Sequence, residues 1–283
     1  MQPLSLERTY RVVLPAPERL NVILVGVGGT GSALAPALAR LAVHARHKGL
    51  EVGLSFVDHD HVEAKNIAGR QNFCPAEIGE YKCVTMALRL NAALGLGVTA
   101  VPEPFEAEMV QSWWSRRDEL VLIVGAVDNY RARREIARAV VQGNGRLWAL
   151  DLGNDYASGQ IVLGNLVDLE RIRLSELGLC SGLPSPYLQE PDLLDPEEVE
   201  SPLSCADLVR RQEQGLAVNQ MAAAIAAQYC VQVLVEREIR QMATTFTLEP
   251  PTTKSRRITA ENLERIKSQR QRDHPAVERV HDK

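Results

Sequence analysis

The chain has 283 residues, 45% of them hydrophobic, and a formal net charge of −4. That length holds one large domain or one domain with appendages, and the apolar content suffices for a sizeable core. No basic excess points to nucleic acid as a partner, and five irregularly spaced cysteines argue against a disulfide framework and for a reducing cytoplasm.

Residues 1–20 form a short polar lead-in with Arg8, Arg11, Pro15 and Pro17, without the apolar core of a signal peptide. The apolar run Asn21 to Val25 then predicts a buried parallel strand. It stops at Gly26-Val27-Gly28-Gly29-Thr30-Gly31, and a helical pattern runs from Ser32 to about Val43. Strand, glycine turn and helix are the context in which G-x-G-x-x-G carries meaning. Gly26 suits a tight turn, Gly28 the approach of a phosphate, and Gly31 close helix–strand packing. The helix N-terminus offers free N–H groups to an anion.

A second strand, Val52 to Val57, ends at Asp58, where an acidic residue in dinucleotide folds holds a ribose hydroxyl. It comes later than the usual separation of about 20 residues because the first helix carries an extra basic turn, His44 to Lys48. Residues 59–81 form a polar connection long enough to be functional, with Asp60, Asn66, Arg70 and Gln71. The sequence Asp58-His59-Asp60-His61 has the look of a metal cluster. In extended chain, however, the two aspartates fall on one face and the two histidines on the other, which favours ribose contact with solvated histidines.

A helix is expected over Lys82 to Leu94, a strand over Val98 to Val101, and a short helix over Ala107 to Trp114. Leu120 to Val127 is a continuous apolar run, read as a buried strand ending at Asp128-Asn129. A helix over Arg131 to Val141 and strands over Leu147 to Leu152 and Gln160 to Leu163 come next. This alternation predicts an α/β fold, Rossmann-like and doubly wound, with a mostly parallel sheet. Residues 165–204 hold five prolines among acidic residues and read as a crossover flap. The apolar segment 217–235 contains Asn219, Gln220, Gln228 and Gln232, so it reads as a buried helix rather than a membrane span. Met242 to Leu248 reads as a final strand. The expected organisation is one domain over 1–250 and a charged, solvated tail over 251–283.

In such sheets ligands bind outside the carboxyl ends of the strands. Gly26–Gly31, Asp58–Asp60 and Asp128–Asn129 should therefore meet in one crevice. Arg70, Lys82 and a metal-type carboxylate at Asp128 exceed what hydride transfer needs, and favour chemistry at phosphorus. Asp128 can equally cap the following helix.

These residues resemble the ThiF/MoeB adenylyltransferases, relatives of the ubiquitin-activating enzymes. The shared features are G-V-G-G-T-G-S, Asp58-His59-Asp60, Asn66-Ile67-Ala68-Gly69-Arg70-Gln71, Ile78-Gly79, Lys82, and Asp128-Asn129 with Arg133. Arg8 and Arg11 resemble the family's opening arginine pair. The resemblance runs from about residue 8 to about 165 and resumes at Ser204-Cys205-Ala206. Within the family, the crossover and this Ser-Cys-Ala element are most like the ThiF-related branch of the PRTRC plasmid cassette.

The resemblance implies a fold of the ubiquitin-activating-enzyme type with a crossover flap and a C-terminal helix. It implies ATP as co-substrate and Mg2+ on Asp128. Gly28 with Gly26, Gly29 and Gly31 would cradle phosphate, Asp58 and Asp60 would serve the ribose end, and Asn66, Arg70, Gln71, Lys82 and Asn129 would complete the nucleotide site. Arg11 would enter the site of a homodimer partner. The substrate would be the C-terminal glycine carboxylate of a ubiquitin-like or sulfur-carrier protein, and Cys205 is the candidate for a following thioester, with Cys180 second. Lys65 stands where the family has serine. The two C-x-x-C pairs of a structural zinc are absent, so the crossover needs another brace. Two rival readings remain: an NAD-dependent oxidoreductase with the same glycine loop, and a non-catalytic nucleotide-binding interaction subunit.

Overall fold

A computed structural model describes residues 7–17, 19–67, 71–113, 119–195 and 216–273. In chain order these give β1 (Val12–Val13), β2 (Arg19–Val25), α1 (Gly29–His47), β3 (Glu51–Val57), the one-turn α2 (Ala64–Ile67), α3 (Lys82–Leu94), β4 (Thr99–Val101), β5 (Glu119–Gly125), α4 (Tyr130–Gly143), β6 (Leu147–Asn154) and β7 (Ser158–Gly164). After these come the one-turn α5 (Pro186–Gln189), α6 (Leu216–Val231), β8 (Glu238–Ile239), β9 (Gln241–Leu248), β10 (Pro251–Arg257) and α7 (Ala260–Asp273).

One sheet runs β10-β9-β7-β6-β5-β2-β3-β4. The strands β4, β3, β2, β5 and β6 are mutually parallel, while β7, β9 and β10 add antiparallel to the β6 edge. The strand over 158–164 is thus the return arm of a hairpin from β6. Alternation along β2 sends Leu20, Val22 and Leu24 to one face and Ile23 and Val25 to the other. The first face is covered by α1, α3 and α6, the second by α4 with Ile136, Ala139 and Val140. Burial on both faces is why the parallel strands read as unbroken apolar runs.

The helix over Ala217–Glu236 is long and apolar enough to cross a membrane by length and composition. Here Val218, Ala222, Ala226, Tyr229 and Cys230 lie in the core, and Tyr229 shares a 2.9 Å hydrogen bond with Thr244 of β9.

The described part of the crossover is braced without cysteine ligands. Asn165 donates to the Gly145 carbonyl (2.7 Å) and accepts from the Leu183 N–H (2.9 Å). Gln189 donates to the carbonyls of Leu163 and Pro184, both at 2.8 Å, and Glu190 pairs with Arg256 of β10. Residues 196–215, with Ser204, Cys205 and Ala206, lie outside the described residues.

The solvated tail expected from residue 251 is corrected over 251–273. Residues Pro251–Arg257 form the edge strand, paired from Pro251↔Leu248 to Arg257↔Gln241. Ile258, Leu263 and Ile266 are buried in the main core. An edge strand exposed on both faces carries no apolar alternation, which is why its sequence reads as loop. Ile266→Ala is expected to lower unfolding stability by about 2–5 kcal/mol, the usual cost of truncating a buried aliphatic side chain. An unchanged thermal midpoint would return this helix to solvent.

Candidate functional site

The chain winds outward from β2 to β3 and β4, then returns to β5 and β6 on the other side. The direction reverses between β2 and β5, and a cleft of about 1440 Å³ opens there at the strands' carboxyl ends. Gly26, Gly28 and Gly29 line it from the β2 turn, Asp58 and Asp60 from β3, and Asp128 and Asn129 from β5. Asn66, Gln71 and Lys82 complete its wall. The three strand ends singled out in the sequence therefore converge. Arg70 lies outside the described residues.

The glycines divide into distinct duties. Gly26 sits at φ +86°, and a Cβ there would lie 2.5 Å from the Ala126 carbonyl oxygen. A Cβ on Gly31 would lie 2.0 Å from the Gly26 carbonyl oxygen. Both keep the first turn of α1 tight against the strand ends. Gly28 faces open space: a Cβ there would meet nothing within 4 Å, as the approach of a ligand requires. A Cβ on Gly29 would meet the Asn219 amide at 2.7 Å. The first helical bond is from the Ser32 N–H to the Gly28 carbonyl (2.9 Å). The N–H groups of Gly29, Thr30 and Gly31 thus have no acceptor within the helix. α1 has neither a side-chain cap nor an acidic residue in its first turn, so its positive end is left for an anion.

Asp58 is tied into both strand ends. Its Oδ2 accepts from the Val27 N–H (2.6 Å) and its Oδ1 from the Asp60 N–H (2.8 Å). Burial pushes its pKa above the ordinary aspartate value despite these bonds. One lone pair per oxygen remains for a hydroxyl donor. Asp60 is 57% exposed and holds the Nζ of Lys82, 7% exposed, at 2.9 Å. Partial burial opposes its ionisation, but the hydrogen bond to Lys82 and the Lys82 charge together bring its pKa below the ordinary value. One ligand atom each from Asp58, His59 and Asp60 falls within a 4.8 Å set. The Asp58 oxygens each accept a backbone N–H, and the Oδ2 of Asp60 holds Lys82. His61 stacks on Tyr81 instead.

Asn66 is buried, and its Oδ1 accepts from the Glu63 N–H (2.7 Å). Gln71 places a buried Oε1 that has no partner among the described residues. At β5 the helix cap is Asn129, whose side chain accepts from the Ala132 N–H (2.9 Å). Asp128 is spared that duty. It is exposed at the cleft and accepts a 3.4 Å bond from the Asn129 amide. Arg133 turns inward, donating to the Val127 carbonyl (2.9 Å) and pairing with buried Asp151 (3.3 Å), which also accepts from Tyr187 (3.3 Å). It fixes the turn that presents Asp128.

Arg11 does not line the cleft of its own chain. It is exposed and lies 3.6 Å from Glu238. Cys180, the second thioester candidate, is corrected: it is 3% exposed, and burial pushes its thiol pKa up. Cys83 and Cys230 are likewise buried, with thiols pushed up to about 11 and about 12. Cys205 lies outside the described residues. Sequence reasoning missed Thr30, Asn154 and Asn219, which also line the cleft. The available signal was an asparagine near the start of the amide-bearing helix over 217–235.

The Asp60–Lys82 pair has a definite pH signature. A carboxyl with a lowered native pKa contributes stability above its unfolded value, about 3.9, and loses that contribution as pH falls through the native value. Asp60→Asn is therefore expected to lower the thermal midpoint at pH 7, with the gap to wild type closing below about pH 4. A gap equally wide at neutral pH and at about pH 3 would contradict the pairing.

The ThiF family model matches residues 16–161, more than half of the chain. No curated protein matches it by sequence. Among solved structures, PaaA is similar with a TM-score of 0.52 at 15% identity, over 86% of this chain and 65% of PaaA. MccB of E. coli, crystallised with AMPCPP and MccA, is similar with a TM-score of 0.55 at 13% identity, over 84% of this chain and 64% of MccB. MccB with ATP has a TM-score of 0.55 at 14% identity. The chain thus spans a little under two thirds of the length of these proteins, whose likeness shows the fold. With the family match over the glycine turn and all five parallel strands, it follows that the chain belongs to the ThiF family.

Proposed function

We propose that this protein adenylates a carboxylate with ATP, and that the carboxylate is the C-terminal glycine of a ubiquitin-like or sulfur-carrier protein. The observation that carries the reading is the uncapped first turn of α1, set beside a paired lysine and across from an uncommitted aspartate. Family membership supports it, as does a fold shared with MccB, which has been crystallised with ATP.

In this reading Asp58 accepts the ribose hydroxyls through its remaining lone pairs. The N–H groups of Gly29, Thr30 and Gly31 and the Lys82 ammonium take phosphate oxygens, with Arg70 assigned to the same task by its motif. Gln71 and Asn66 complete the wall beside them. Asp128 fits a divalent cation: it is a hard oxygen ligand at the cleft, neither capping a helix nor held by a basic side chain among the described residues. Magnesium bound there would offset charge on the phosphate chain. The substrate carboxylate oxygen forms a bond to the α-phosphorus while the bridging bond to the β-phosphate breaks. The products are an acyl adenylate and pyrophosphate. Donors fixed before the reaction stabilise the charge moving onto pyrophosphate without reorganising.

The same proposal includes a homodimer in which Arg11 of each copy serves the other's cleft, a thioester on Cys205 after adenylation, and a cytoplasmic location. It also includes placement in the PRTRC branch. Absence of paired C-x-x-C motifs speaks against a structural zinc.

ATP with Mg2+ at about 100 times its Kd is expected to stabilise the fold by about 2.7 kcal/mol, and NAD is expected not to. The reverse preference would favour an oxidoreductase. Asp128→Ala is expected to fold yet lose substrate-dependent pyrophosphate exchange by about 10²-fold or more. Full exchange in the folded variant would remove Asp128 from the mechanism.

A further inference from the structure

Helix α6 delivers one amide side chain to the first turn of α1. Asn219 is 2% exposed and lines the cleft. Its Oδ1 accepts from the Thr30 hydroxyl (2.9 Å) and from the Asn154 amide at the end of β6 (2.7 Å). The oxygen of the amide takes both donors, so the Nδ2 is directed away from Thr30 and Asn154. The Nδ2 is left buried with no partner among the described residues. It lies against Gly29, where a Cβ would be 2.7 Å away. Gly29 is not one of the three positions that G-x-G-x-x-G requires. Its lack of a side chain is explained by this amide.

A buried donor left unmade is costly, so such groups mark missing partners. The missing partner here must be an acceptor, and it must lie at the turn where the N–H groups of Gly29, Thr30 and Gly31 have no acceptor within the helix. We infer that Asn219 is a further ligand-binding residue of the cleft: its Nδ2 donates to an oxyanion, a phosphate oxygen of the nucleotide, seated on the first turn of α1. This rests on the ATP reading. It adds a donor from a helix 189 positions downstream of Thr30 in the glycine turn, and it joins the ends of β6, α1 and α6 at one ligand group.

The test is calorimetric titration of the full chain with ATP plus Mg2+ and, separately, with adenosine. Asn219→Asp keeps the accepting oxygen for Thr30 and Asn154 but replaces the free donor with an acceptor. Asn219→Leu removes the polar group without adding charge, and thermal midpoints check that each variant folds. ATP binding is expected to weaken about tenfold or more in Asn219→Asp and in the same direction in Asn219→Leu, with adenosine binding within about twofold of wild type. Equal weakening for ATP and adenosine, or unchanged ATP binding in either folded variant, would reduce Asn219 to a packing residue and overturn the inference. Wild-type protein that binds neither ligand would instead overturn the nucleotide reading itself, and the role of Asn219 with it.

Discussion

The carbonyl oxygen of Gly26 occupies the place where a side chain on Gly31 would have to be. That contact sets the distance between the first turn of α1 and the ends of β2 and β5, and the shape of the cleft depends on it. The helix can start so soon after the strand only because Gly26 takes a left-handed turn beneath Ala126. Its free N–H groups then point into the reversal of strand order rather than onto the sheet. Asp58, bonded to the Val27 N–H, locks the same turn from the β3 side. The turn is thus held by two neighbouring strands before any ligand arrives, which is the preorganisation that charge stabilisation requires.

Charge in the cleft is divided between committed and uncommitted groups. Asp58 and Asp60 spend oxygens on backbone N–H groups and on Lys82, and Arg133 is spent on Asp151. Asp128 carries no such obligation, since Asn129 caps α4 in its place. The division separates residues that hold the site's shape from those free to meet a ligand. Arg133 shows the point: it belongs to the family-like motif, yet it acts by pinning the Val127 carbonyl ahead of Asp128.

Much of the fold was legible because its signals were local. The helix over Lys82 to Leu94 is found with those bounds, and the parallel strands expected over 52–57 and 120–127 are found within one or two residues. Burial on both faces gives such strands their unbroken apolar runs, and their carboxyl ends then meet in one crevice where the strand order reverses. Features that stayed hidden depended on partners distant in sequence. β10 has no apolar face because it is an edge, and α7 anchors itself with Leu263 and Ile266. Asn219 looked like an argument against a membrane span, because its partners Thr30 and Asn154 lie far from it in sequence. Cys180 stood second as a thioester candidate, yet its thiol is buried and donates to the Gly182 carbonyl.

If this crevice holds the phosphates and ribose of ATP, bound nucleotide must protect the backbone that lines it. Amide hydrogen exchange, read by mass spectrometry with and without ATP and Mg2+, measures that protection peptide by peptide. Exchange is expected to slow in peptides covering 26–32, 58–60 and 126–129, and to stay unchanged in the edge hairpin of β9 and β10. Exchange unaltered in the three strand-end peptides at saturating nucleotide, or slowed by NAD and not by ATP, would contradict ATP binding in this crevice.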